Sequence, residues 1–584
     1  MQPKLCMRTA AVFAVSVLTM GADSAPGPVL PLTEVEAGLK GEGWSVFAGS
    51  EPEPFDVEVL GVWHNVGPDT SYILTRLSGH GLEETGVIAG MSGSPVYVED
   101  RLMGAVAFSW ALSQGAVAGV TPIEAMRRMA NSQAEGQGGP AGPSSTLPDL
   151  FERVDARARL ASELGALVRL PEGQSSGLLW SSSGLGVGTR DLLAEAVGPV
   201  VSAGQATALG EDLQPGDAVA AVLIDGDLRL AATGTVTDRY GDSILAFGHP
   251  FLSMGDIAVP MATAEIVTVV PSLINSFKVG NIGRTIGRFD RDRPSGVRGT
   301  LGALAPTLPV TIEINGGRTR HFSVRIARVA PIAGPLVATT LLGALDATTG
   351  AGGERELELV AEILLDGRPP LLVRQVFDGP AAAVEAAVHM LSLVGYLENN
   401  VLADVDVSGI DIRVDQTPGR RTTRILAAHP SRRVVRAGSS VTLNVELDPY
   451  RGESRRHRME IDLPRDLRPG RYVLLIGDGT SIDAARLELE QFSPVRISQA
   501  LGFLGGLHSR SELAVLGVAP DRGLNVDGAA MPRLPGSIRE IWDAGDRTSV
   551  TALGTAIRQE EVEELGVPLT GLVRIDLEVE RGEG

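Results

Sequence analysis

The sequence predicts a mainly β protein: two small antiparallel β units in series, then a C-terminal β-sandwich, with a few helices between them. Three observations carry this. Glycine (71) and proline (36) are plentiful in the 584 residues while aromatic residues make up only 4%, which suits many short strands and turns better than long helices. Apolar and polar residues alternate in short runs such as Phe55-Asp56-Val57-Glu58-Val59-Leu60, the period of a half-buried strand. One stretch, 380–399, is alanine-rich and apolar at helical spacing. A hydrophobic fraction of 43% is enough for packed cores, so disorder is excluded.

The elements follow in order. Residues 1–25 read as a secretion signal: Lys4 and Arg8 precede an apolar run from Thr9 to Ala22, and Ala22, Ser24 and Ala25 offer small cleavage positions. The alternative is an uncleaved membrane anchor. With cleavage the protein is exported, to the periplasm or beyond, and keeps no stable membrane span. It also loses Cys6, its single cysteine, so disulfides, thiolate zinc sites and cysteine nucleophiles are excluded. No other segment reads as long and apolar enough to cross a membrane. Residues 30–130 form the first β unit, punctuated by Gly67-Pro68-Asp69 and Gly79–Gly81. A linker and helix occupy 131–180, with the Gly/Pro/Ser/Gln-rich part at 131–148 and the helix near Leu150–Leu164. Residues 181–375 return to strands, clearest at Ala218–Ile224, Leu228–Val236, Ile244–Phe247 and Leu308–Val329. A helical connector spans 376–410, after Asp378-Gly379-Pro380. Residues 420–492 read as an Ig-like sandwich, with strands at Val434-Val435, Val441–Val445 and Tyr472–Leu475. The remainder, 493–584, is mixed.

The most informative stretch is Gly90-Met91-Ser92-Gly93-Ser94-Pro95, followed by a hairpin: Val96-Tyr97-Val98, a turn at Glu99-Asp100-Arg101, then Leu102 to Ala107. Glycines on either side of a serine let the backbone turn sharply and aim amide N–H groups at one point. Such a pair of amides, here those of Gly90 and Ser92, can hold the oxyanion formed when a serine attacks a carbonyl. The plain alternative is a turn serine. The hairpin ends in Phe108-Ser109-Trp110, where chymotrypsin-like enzymes begin the strand that pairs with extended substrate. Gly119-Val120-Thr121-Pro122 is similar to their pocket-closing strand, and Ile123–Met129 to their terminal helix.

Together these resemble the SpoIVB-type serine peptidases, secreted bacterial enzymes with the same Gly-Met-Ser-Gly-Ser-Pro motif and a following Gly-Ala-Val strand. Their histidine sits in a Gly-His motif after a short strand, which is similar to Ile244-Leu245-Ala246-Phe247-Gly248-His249-Pro250 here. Thr233-Gly234-Thr235-Val236-Thr237 and Asp292-Arg293-Pro294-Ser295-Gly296 also resemble the family. The resemblance covers roughly 35–130 and 205–305. It implies a chymotrypsin-like double β-barrel with Ser92 as nucleophile and His249 as base, and Ser109 and Trp110 on the substrate. The chain departs from the family twice. Ser92 precedes His249 by 157 residues instead of following it, so the halves meet only in a circularly permuted arrangement. The family's aspartate, some fifteen residues before the serine, is absent from Arg76-Leu77-Ser78-Gly79-His80; Asp69, Glu83 and Glu84 are the nearest acids, and Asp238, Asp242 or Asp256 could donate one from elsewhere. Met91 cannot make the ion pair with a freed N-terminus that an aspartate before the serine makes in many zymogens.

The expected function is therefore a secreted serine endopeptidase acting on a protein or peptide substrate without a cofactor. A peptidase-like scaffold that binds extended peptides or envelope proteins is the alternative. A net charge of −20 argues against a nucleic-acid partner. His80 is a second candidate base beside its reading as a solvated loop residue. The other histidines have no metal spacing, so no metal site is expected. The arginine cluster from Arg420 to Arg458 reads either as a docking face for an anionic partner or as solvated strand faces.

Overall fold

The computed structural model describes residues 27–580 except 68–69, 111–112, 114, 133–145, 152–154, 167–174, 177, 207–209, 211, 350–352, 533 and 544–549. The predicted signal segment, Asp69 and most of the predicted linker thus lie outside the described residues. The chain is mainly β.

The first unit contains β1 (Lys40–Ser45), β2 (Glu53–Gly67), β3 (Thr70–Ser78), β4 (Pro95–Val98), β5 (Arg101–Ser109) and β6 (Val117–Pro122). Their order is β4-β1-β2-β3-β6-β5, and β5 pairs back to β4, so six strands close into a barrel. The alternation read in the sequence fills it. Phe55, Val57 and Val59 on β2 point inward, and Ile73 and Leu77 on β3, Val106 on β5 and Val120 on β6 meet them. A helix, Ile123–Asn131, closes the unit where the sequence placed one.

Three short strands and one longer one follow: β7 (Ser175–Ser176), β8 (Leu179–Ser183), β9 (Val200–Ser202) and β10 (Gly204–Gln205). Next come β11 (Ala218–Gly226), β12 (Arg229–Tyr240), β13 (Ser243–Ala246), β14 (Gly255–Val270), β15 (Phe277–Arg293) and β16 (Gly296–Leu301). These last six run β11-β14-β15-β16-β13-β12 within a larger sheet, and β11 also pairs with β12. Both rings therefore join their strands in the same sequence, first-second-third-sixth-fifth-fourth. β12 is buried from Arg229 to Asp238, its threonines, Arg229 and Asp238 included.

The larger sheet continues through Thr307–Asn315, Arg320–Ala327, Arg355–Leu365, Leu371–Gly379 and Val407–Pro418. Helices Ala330–Thr349 and Ala382–Asn399 pack on it. The second was predicted; the first was not. Ala330–Thr348 is long and apolar enough to cross a membrane by length and composition alone, which corrects the expectation that no segment beyond the N-terminus would be. In this fold 83% of its apolar window is buried.

The strands predicted within 420–492 do not close on themselves. Thr423–Pro430, Ser440–Pro449 and Arg455–Asp462 share a sheet with Leu569–Thr570. Val434–Val435 and Gly470–Asp478 both pair with Leu572–Val579, and Gly470–Asp478 also pairs with Glu512–Pro520. Residues 479–489 are helical. The C-terminal unit therefore takes strands from both regions that the sequence separated.

Candidate functional site

Ser92 stands in the turn before β4. Gly90 and Gly93 flank it with φ of +99° and +98°, the left-handed region open to glycine. The turn is pinned from both barrels. The Gly93 amide donates to the Val106 carbonyl on β5 (2.7 Å), and the Thr235 amide on β12 donates to the Ser92 carbonyl (2.8 Å). Thr235 Oγ1 and Thr237 Oγ1 donate to the carbonyls of Gly90 (3.0 Å) and Gly93 (2.7 Å). The threonines of the Thr-Gly-Thr-Val-Thr stretch thus hold the serine turn against the second barrel.

His249 follows β13 in a loop anchored by Phe247 and Phe251, both buried. Phe247 holds a φ of +67°, strained for a side chain of its size and maintained by packing against Phe251 and Phe289. Thr121 Oγ1 on β6 donates to the Gly248 carbonyl at 2.5 Å, tying the histidine loop to the first barrel.

These ties bring the two predicted side chains together. Ser92 Oγ lies 2.5 Å from His249 Nε2, and the Ala107 carbonyl is 3.4 Å from the same oxygen. His249 Nδ1 is 2.7 Å from the Pro250 carbonyl. A carbonyl only accepts, so Nδ1 carries the ring proton and Nε2 is left to accept from the serine hydroxyl. The backbone oxygen thus sets the tautomer without bringing a negative charge. Burial lowers the His249 pKa to about 4, with the Pro250 bond opposing, so the ring is neutral at pH 7. The amides of Gly90 and Ser92 donate to no acceptor among the described residues. A hydroxyl donating to a neutral imidazole, beside two free amides, is an arrangement that can activate an oxygen nucleophile.

Among the described residues, no acid named from the sequence bonds the imidazole. Asp238 pairs with Arg127 at 2.7 Å, Asp256 lies 3.6 Å from Arg293, and Glu83 accepts from the Gly79 amide at 2.9 Å. His80 stacks on Phe47 at 4.3 Å and bonds the Pro54 carbonyl, so it is not at Ser92. Asp292 is the acid that the sequence reading missed. It is buried on β15 and accepts from the amides of Phe251 (2.6 Å), Leu252 (2.6 Å) and Met254 (3.2 Å). Burial pushes its carboxyl up while these amides pull it down. It holds the backbone just after His249 rather than the ring. Its motif was visible in the sequence, but its target was not.

Ser109 ends β5, two residues beyond the Ala107 carbonyl that faces Ser92. Trp110 follows it, edge-on to Phe108 at 5.3 Å and 6.5 Å from Trp63.

Lys278 is a second residue that the sequence did not single out. It is fully buried on β15, and its Nζ donates to Ser45 Oγ at 2.8 Å. Ser94 Oγ donates to the same oxygen at 3.0 Å. The Lys278 chain lies along Gly90, with Cδ 3.2 Å from where a β-carbon would stand. It has no carboxylate partner among the described residues, and burial lowers its pKa to about 7. The unfolded chain then holds this proton between pH 7 and about 10.5 while the folded chain releases it. Stability from this group rises with pH across that window. Lys278→Met is expected to flatten that rise, read as melting temperature against pH from 7 to 10; an unchanged slope would contradict it.

Comparison of the chain with family models, with curated proteins and with solved structures finds no match.

Proposed function

We propose that this protein is an exported serine endopeptidase of the SpoIVB type, built on a chymotrypsin-like double barrel whose halves occur in reversed chain order. The observation that carries the reading is the 2.5 Å contact between Ser92 Oγ and His249 Nε2, from two motifs 157 residues apart. The shared strand order of the two rings and the free amides at Gly90 and Ser92 support it. In this reading Ser92 attacks the scissile carbonyl and His249 takes its proton. The two amides hold the resulting oxyanion, and His249 returns the proton to the leaving amine. Ser109 and Trp110 pair with the substrate backbone as an added strand. The C-terminal unit, which the sequence reads in part as Ig-like, would position a protein substrate or partner.

A serine-directed phosphonate tests the reading. It is expected to add one adduct per chain to the wild type, seen by intact mass, and none to Ser92→Ala. Labelling that survives the substitution, or is absent from both, favours the second reading, a peptide-binding scaffold. One observation favours that alternative: the imidazole faces a neutral carbonyl where a hydrolase would place a carboxylate.

A further inference from the structure

The outer edge of β5, where a substrate strand would add, is already taken by the chain itself. β7 pairs antiparallel with the end of β5, Ser176 opposite Phe108 and Ser175 opposite Ser109, while β6 holds the other side of the same two residues. Just upstream on β5 is Ala107, whose carbonyl faces Ser92 Oγ. Beyond β7 the chain comes to the oxyanion turn: Leu179 Cδ2 lies 3.3 Å from where a Gly90 β-carbon would stand. Both side chains of the site are buried, Ser92 2% and His249 8% exposed.

We propose that β7 (Ser175–Ser176) occupies the peptide-acceptor edge of the Ser92 site and keeps it latent, and that an extended polypeptide enters by displacing it. The occupancy stands on geometry alone; the latency rests on the peptidase reading. β7 and β8 are unequally held. β8 is anchored by five residue pairs to β12, from Leu179 opposite Thr233 to Ser183 opposite Arg229. β7 has two pairs, and two-residue strands exchange readily for a longer competitor that offers the same main-chain bonds. The competitor is thus an extended, strand-forming peptide without a fixed side-chain requirement at these two positions.

The test uses full-length chain and, as probe, a fluorescein-labelled synthetic peptide with the sequence of residues 170–180. Consecutive residues of an antiparallel strand aim their amides at opposite edges, so the double substitution Ser175→Pro and Ser176→Pro removes the β7 amide that faces β5 whichever of the two it is. In a Ser92→Ala background it is expected to tighten probe binding at least tenfold by anisotropy. With Ser92 intact it is expected to speed phosphonate labelling at least tenfold. Ser109→Cys with Ser175→Cys, in a Cys6→Ser chain, provides a measurement that does not depend on the proline variant folding. The two positions are directly opposed, which suits a disulfide. Labelling should be at least tenfold slower with the disulfide closed than after reduction of the same sample. Probe binding and labelling both indifferent to these changes would overturn the proposal. Tighter probe binding with no labelling in any variant would leave the occupancy standing and remove the peptidase reading. Labelling that is present but unaffected by proline or disulfide would do the reverse.

Discussion

Replacing His249 with glutamine is expected to leave both barrels folded and to slow phosphonate labelling of Ser92 by about a thousandfold or more, the scale on which a positioned general base acts. Glutamine fills similar space, and its amide can donate to the Pro250 carbonyl as Nδ1 does, so the loop held by Asp292 should persist. What it lacks is a basic nitrogen at the 2.5 Å position. The pH dependence gives a second reading of the same group. With a pKa lowered to about 4, the ring stays neutral and able to accept a proton well below the range in which a solvated histidine becomes charged. Wild-type labelling should therefore hold its rate from pH 7 down toward 5 and fall by half only near 4. The sign for stability is the opposite of that for an ion-paired histidine. The unfolded chain binds this proton below about 6.5 and the folded chain only near 4, so the fold loses stability as pH drops through that window. A labelling rate in His249→Gln equal to that of the wild type would remove the imidazole from the chemistry.

What could be read from the sequence was set by local constraint. The Ser92 turn needs glycine at two positive-φ positions, and that need appears as Gly90 and Gly93 around one serine. The first barrel has one face in its core and one toward solvent, so Phe55, Val57 and Val59 alternate visibly with their neighbours. Asp292 and Lys278 escaped for the converse reason. One binds backbone amides 38 to 41 residues away, the other a hydroxyl 233 residues away, and neither contact leaves a spacing in the chain. Helix Ala330–Thr349 was missed because it is covered almost all round. A buried helix has no polar face to create a period, and Pro335, Thr339 and Thr340 look unlike helix formers. The two threonine hydroxyls instead bond the carbonyls of Pro335 and Leu336 one turn back. The C-terminal unit was divided wrongly in space because its sheets are closed by very distant partners, as when Val434 and Val435 meet Glu578 and Val579. Periodicity can place such strands but cannot choose their neighbours.

Gly93→Ala should be the most damaging single methyl group in the chain's serine half. A β-carbon there would stand 2.0 Å from the Thr235 carbonyl oxygen and 2.5 Å from the Phe247 amide nitrogen, both backbone atoms of the second barrel. Neither can rotate away as a side chain would. The φ of +98° adds a conformational cost of roughly 1–2 kcal/mol. Relief requires the serine turn to withdraw from β12, which breaks the bonds from the Thr235 amide to Ser92 and from Thr237 Oγ1 to Gly93. It also separates Ser92 from His249. We expect a loss of about 4 kcal/mol or more, beyond the range of ordinary point substitutions, together with loss of labelling. Gly241→Ala separates the two causes. Its φ is +58°, and no atom lies within 4 Å of the added carbon, so only the conformational cost remains. Thermal unfolding of the two variants side by side reads the difference. If Gly93→Ala melts no lower than Gly241→Ala, the barrels do not meet at this turn, and Ser92 and His249 are not held together in the way described.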